Sequence, residues 1–197
     1  MGCCGNNSTE VRNFAPPTQG QEAQPISQFD IRQVPTTIQV QKVIMKTPKD
    51  IFREIALKTH NKYRAKHGSP PLTINEEINQ IAQRYAEHLA SIDIMQHSDN
   101  KLNGEDLGEN LYWCCGMQID GAEMTRSWYE EIEQYDFNNP GFKQGTGHFT
   151  QVIWKESKEV GFGYAQSASG AYFGVANYFP AGNIDTSEYF RENVQRC

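Results

Sequence analysis

Long apolar runs are missing from this chain of 197 residues, whose mean hydropathy is -0.68. A bilayer-spanning helix takes roughly 20 consecutive apolar residues, so none is expected. The start, Met1-Gly2-Cys3-Cys4-Gly5-Asn6-Asn7-Ser8, also lacks the basic stretch and apolar segment of a secretory signal. Cysteine is sparse and poorly placed for cross-linking: the five are Cys3, Cys4, Cys114, Cys115 and Cys197, and neighbouring cysteines bridge each other only under strain. Without the spaced disulfide framework of small secreted domains, residence in a reducing cytosol is expected. Excess positive charge is absent too. The 18 Lys and Arg against 24 Asp and Glu leave a net charge of -6, which disfavours nucleic acid as a partner. Neither a phosphate loop nor a Gly-x-Ser-x-Gly elbow is present, which removes the simplest routes to nucleotide binding and serine hydrolysis.

Residues 1–46 are rich in Gln, Pro, Thr and Asn and carry aromatics only at Phe14 and Phe29, too little apolar area to offset the entropy of ordering. They read as a disordered linker ahead of a folded domain at 47–197. Alternation at 34–41 suits an edge strand, against which Pro35 counts. The leader carries more information. Removal of Met1 exposes Gly2 to N-myristoylation, and Cys3 and Cys4 are open to palmitoylation, although Asn6 stands where the usual pattern has Ser or Thr. One myristoyl chain binds only marginally, and an acidic domain gains nothing from anionic lipid, so palmitate is the second signal this reading requires. The expected partner is a membrane.

The domain opens with Thr47-Pro48-Lys49-Asp50, a capping-box start with Pro at the first helical position. A helix is expected from there to about Lys66, with Ile51, Ile55 and Leu57 as its apolar positions and Gly68-Ser69-Pro70-Pro71 as its end. Ile78, Ile81, Ala82, Tyr85, Ala86 and Leu89 form a stripe of helical period, a second helix. A polar stretch covers 96–108, and a third helix is expected from 121 to about 135. On it Glu131 shares a face with Met124 and Trp128, so the acid is expected to point inward, where a carboxylate needs a partner or a metal. Two β-like runs, 160–164 and 171–178, joined by Gln166-Ser167-Ala168-Ser169-Gly170, read as a hairpin. The class is α+β. His60, His67 and His88 read as helix-face residues, and Cys114 and Cys115, beside Trp113, as small buried thiols.

The run Gly147-His148-Phe149-Thr150-Gln151-Val152-Ile153-Trp154 resembles the first signature of the CAP superfamily of cysteine-rich secretory, antigen-5 and pathogenesis-related-1 proteins, and Asn177-Tyr178-Phe179-Pro180-Ala181-Gly182-Asn183 resembles the second. His60-Asn61-Lys62-Tyr63-Arg64, Gly108-Glu109-Asn110-Leu111 and Ser127-Trp128-Tyr129 match in order, so the likeness spans roughly 51–194. It is strongest to a Golgi-associated, N-myristoylated branch that faces the cytosol. The disulfide cysteines of the secreted members are lacking, as at Ala176.

The resemblance implies a three-layer α-β-α sandwich. It also implies a cleft in which His97, Glu109, Glu131 and His148 meet, either as a weak divalent site of zinc type or as a hydrogen-bonded polar core. The loop holding Tyr135, Phe137 and Phe142 is similar to one through which some members bind sterols; the alternative is that these rings pack back onto the domain. The function expected is lipid binding, of sterol or fatty acid, with scaffolding and self-association as a homodimer at the cytosolic face of Golgi, raft or plasma membrane. The competing reading is a metal-dependent, peptidase-like hydrolase, for which Ser98 beside His97 is a poor nucleophile because adjacent residues rarely meet as a catalytic pair. The competing location is extracellular, as for most of the family.

Overall fold

The computed structural model describes residues 45–184 and 186–197. Gly2, Cys3, Cys4 and the candidate edge strand at 34–41 lie outside these residues. Helix α1, Pro48–Lys66, begins as its sequence dictates: the Thr47 hydroxyl accepts the Asp50 amide and the Asp50 carboxylate accepts the Thr47 amide. Its buried face differs from the expected one. Ile51 and Ile55 are 46% and 37% exposed, whereas Phe52, Ala56, His60 and Arg64, spaced by four, line the inner side. The stripe can hold two polar residues because every hydrogen-bonding group on them finds a partner inside the domain, a condition that hydropathy does not register.

Strand β1, Thr73–Ile74, leads into α2, Glu76–Ile92, capped by Asn75. The polar stretch after α2 folds into a small antiparallel pair, β2, Lys101–Leu102, and β3, Glu105–Asp106. Strand β4, Gly108–Cys114, is an element that the sequence reading passed over. Helix α3 spans Gly121–Glu130 and stops before the expected 135, continuing as a 3-10 turn over Glu131–Gln134. The short α4, Gly147–Ile153, precedes the hairpin of β5, Glu159–Gln166, and β6, Tyr172–Phe179, and α5, Ser187–Asn193, closes the chain.

The main sheet runs β1-β5-β6-β4, with only the β1–β5 pair parallel. Side-chain alternation gives it two distinct faces. Val160, Phe162, Ala176 and Tyr178 join Phe52, Ala56, Met124, Trp128, Phe149 and Val152 in the larger core, beneath α1, α3 and α4. Leu111, Phe173 and Val175 meet Ala82, Ala86 and Leu89 of α2 on the other. The architecture is the expected α-β-α sandwich. Gly161 and Gly163 let α2 lie directly on β5: a Cβ at either would stand 2.2 to 2.5 Å from backbone atoms of that helix. Beyond β1 the free edge of β5 is completed by side chains. Asn79 and Gln83 accept the Phe162 and Tyr164 amides, while Arg53 and Gln83 donate to the carbonyls of the same two residues. Of the adjacent thiols, Cys114 is partly buried and Cys115 is exposed, because β4 ends between them in a turn through Gly116 at φ 83°.

Candidate functional site

His97, Glu109, Glu131 and His148, drawn from four separate stretches of chain, line one cleft of about 370 Å³ together with Asn110, Phe142, Gln144 and Asn183. They form two imidazole–carboxylate pairs. His97 Nδ1 lies 2.8 Å from Glu109 Oε1, and His148 Nδ1 lies 2.7 Å from Glu131 Oε1.

Each carboxylate also does structural service. Glu109, on β4, accepts the Ser98 amide at 2.9 Å, the Ser98 hydroxyl and the Asn177 amide group at 3.3 Å, which pins the loop carrying His97. Glu131 sits on the 3-10 turn and accepts the amides of His148 and Phe149 at 2.9 and 3.1 Å. Those are unpaired donors of the first turn of α4, whose own N-cap residue Thr146 makes no side-chain cap, so a distant acid caps this helix. Glu131 thus points inward, as its place in the sequence implies, from a position just past the end of α3.

Electrostatics follow from these contacts. Burial pushes the Glu109 carboxyl up, but hydrogen bonds from His97, Ser98 and Asn177 outweigh it and hold the group below its usual value. Glu131 is likewise raised by burial and brought below its usual value by its contacts with His148 and Phe149. Neither acid is tuned toward neutrality as a general base would be. His97 moves the other way, raised above 6.5 chiefly by its hydrogen bond to Glu109. A raised folded-state value means the pair's stabilisation is fully present below the unfolded value and is lost as pH rises through the folded one. With the His97 side chain 65% exposed, the effect on stability is small. In Glu109→Gln the His97 ring is expected to titrate at lower pH than in the parent, read from its Cε1 proton by NMR; an unmoved midpoint would refute the pairing.

Chemically, each ring turns Nδ1 to a carboxylate and keeps Nε2 without a partner among the described residues. Carboxylate-backed imidazoles of this kind orient the other nitrogen toward a metal. No three His, Cys, Asp or Glu side chains among the described residues converge on an ion. A metal at this cleft would have the two Nε2 atoms as its nitrogen donors among the described residues. Ser98 gives its hydroxyl to Glu109 rather than to His97, so the two do not form a nucleophile–base pair.

The aromatic loop divides. Tyr135 is buried, 4.9 Å from Phe137 and 5.5 Å from Phe149 between ring centres; Phe137 packs on the same cluster and lies under Arg196 at 5.1 Å. Phe142 is 53% exposed and stands at the cleft's lip, against Gly147. Sequence reasoning did not single out Asn110 or Asn183. Asn183, at φ 56°, donates to the Gly147 carbonyl and accepts the Thr150 hydroxyl, holding the start of α4; its place in the second signature was the available signal. His60 is buried on the inner side of α1, His67 is buried just past the end of that helix, and His88 is exposed on α2.

Comparison with known proteins agrees with this architecture. A family model described as the cysteine-rich secretory protein family, CAP, matches residues 57–178. The chain is 48% identical over 143 residues to the human Golgi-associated plant pathogenesis-related protein 1, covering 73% of this chain and 92% of that one. It is 36% identical over 130 residues to pathogenesis-related protein 1C of Nicotiana tabacum, covering 65% and 74%. Among solved structures, that of NaASP2 with Zn2+ superposes at a TM-score of 0.60 with 22% identity, covering 75% of this chain and 88% of that one, a likeness of fold. The order of helices and strands, the paired imidazoles and acids of the cleft, and the extent of these matches together place the chain in the CAP family of cysteine-rich secretory proteins.

Proposed function

We propose that the protein is a CAP domain tethered by N-terminal acyl chains to the cytosolic face of Golgi-type endomembranes, where it binds lipid and acts as a scaffold, self-association included. The observation carrying this reading is the 48% identity to a protein whose name records Golgi association, joined to the leader Met1-Gly2-Cys3-Cys4. Myristate on Gly2 would supply the first, weak membrane contact and palmitate on Cys3 or Cys4 the second. In this reading a sterol or acyl chain meets the domain at Phe142, the exposed ring of the aromatic loop.

Expression of Gly2→Ala in cells, followed by fractionation, is expected to move most of the protein from membranes to the soluble fraction. The variant Cys3→Ser/Cys4→Ser should distribute between the two. An unchanged membrane share for Gly2→Ala would overturn the anchor.

The cleft, within the same reading, holds a divalent cation of zinc type rather than a substrate. Support comes from the two carboxylate-backed imidazoles and from NaASP2, a protein of similar fold whose crystal structure was solved with Zn2+. His97 and His148 would bind through Nε2, with Glu109 and Glu131 orienting the rings from behind. A bound ion would supply positive charge to a cleft rich in acceptors.

A further inference from the structure

Asn110 is held tightly by its surroundings. It follows Glu109 in β4, is almost wholly buried, and lines the cleft. Its Nδ2 group donates to the His148 carbonyl at 3.0 Å and to the Tyr178 hydroxyl oxygen at 3.2 Å, which uses both amide hydrogens. Tyr178 must then donate onward. Its partner is His60 Nε2 at 2.9 Å, and that nitrogen is an acceptor because the neutral ring spends its one N–H, on Nδ1, on the Ala56 carbonyl at 2.8 Å. Burial holds His60 down to about 3, so the ring stays neutral and the direction is fixed: Asn110 to Tyr178 to His60 to Ala56.

This chain of donors decides which way the Asn110 amide faces. Turned over, its oxygen would oppose the His148 carbonyl and a tyrosine hydroxyl already committed to His60. Oδ1 is the atom left over. Among the described residues it accepts no hydrogen bond, and it is not one of the sealed, unpartnered atoms of the interior.

We infer that Asn110 Oδ1 is a ligand-facing acceptor of the cleft, and that a divalent cation bound by His97 and His148 takes it as a neutral oxygen donor. The inference rests on the cation reading given above. Two imidazoles leave half of a tetrahedral shell unfilled. An amide oxygen fills one position without adding a third negative charge beside Glu109 and Glu131. Asn110 touches the ion, while Tyr178 and His60 act through it as positioning residues.

Calorimetric titration of the full chain with zinc tests this, on the parent and on Asn110→Ala, Tyr178→Phe and His148→Ala, with melting temperatures measured alongside. The parent is expected to bind and His148→Ala to lose binding. Asn110→Ala should weaken affinity by about 10-fold or more. Tyr178→Phe breaks the same buried chain but keeps the amide oxygen, and should weaken it much less. Parental affinity in Asn110→Ala, with His148→Ala still defective, overturns the inference and leaves the cation reading standing. Equal weakening in Asn110→Ala and Tyr178→Phe also overturns it, because support of the fold would then account for both. If Asn110→Ala does not fold, Asn110→Leu keeps the volume of the side chain without its oxygen and should weaken affinity by about 10-fold or more; parental affinity in that folded variant overturns the inference. Absence of zinc binding in the parent removes the cation reading and the inference together.

Discussion

Replacing Arg64 by Met is expected to destabilise the domain by about 4 kcal/mol, a fall in melting temperature of about 10 °C. Arg64 is fully buried on α1 and forms no ion pair with a carboxylate among the described residues. Its guanidinium instead donates to four backbone carbonyls: Pro70 at 2.8 Å, Val152 at 3.1 Å, Trp154 at 2.7 Å and Ser157 at 2.9 Å. Burial pulls its pKa down to about 10, which still leaves it charged at neutral pH. Methionine fills much of the volume but strands the carbonyls of Pro70, Val152 and Ser157, at about 1 to 3 kcal/mol each before relaxation, while that of Trp154 keeps the Ser157 amide at 3.2 Å. Relief from burying a charge offsets part of that loss. A melting curve followed by circular dichroism is the check; a fall below about 2 °C would mean that water replaces the guanidinium at little cost.

The second large effect is expected from a single methyl group. Gly163→Ala should cost about 3 kcal/mol or more, at the upper end of overpacking, and Gly161→Ala a similar amount. The added Cβ at position 163 would lie 2.4 Å from Gln83 Cα and backbone nitrogen, and at 161 it would lie 2.2 Å from the Asn79 nitrogen. Neither obstacle is a side chain that can rotate away, so α2 would have to lift from the sheet and open the core formed by Ala82, Ala86 and Leu89. Gly170→Ala serves as the contrast. Nothing lies within 4 Å of its Cβ position, and only the backbone at φ +89° resists, a cost of about 1 kcal/mol. Urea denaturation of the three variants compares them directly, and equal midpoints would contradict the close packing of α2 on β5.

What could be read from the sequence divides along physical lines. The start of α1 was legible because Thr47, Pro48 and Asp50 act within one turn, and α2 because its apolar stripe faces a sheet that accepts only apolar groups. The face of α1 was misread, since Ile51 and Ile55 outrank His60 and Arg64 on any hydropathy scale, yet the polar pair is satisfied by carbonyls and by Tyr178 from remote parts of the chain. Strand β4 was missed for a related reason. Gly108, Asn110 and Leu111 are all buried in it, so burial does not alternate, and Glu109-Asn110 reads as loop until Ser98, Asn177 and Tyr178 are brought beside it. The cleft itself came from the resemblance. Only the inward aim of Glu131 followed from spacing, and spacing put the acid inside a helix when it begins a 3-10 turn.

The side chains that finish the edge of β5 also bear on how copies of the chain can meet. Asn79 and Gln83 occupy the amide and carbonyl positions that an incoming strand would need, and α2 stands over them. Continuous-sheet assembly is therefore closed on this flank, and any partner that extends the sheet has to approach from the β4 flank, beside the cleft.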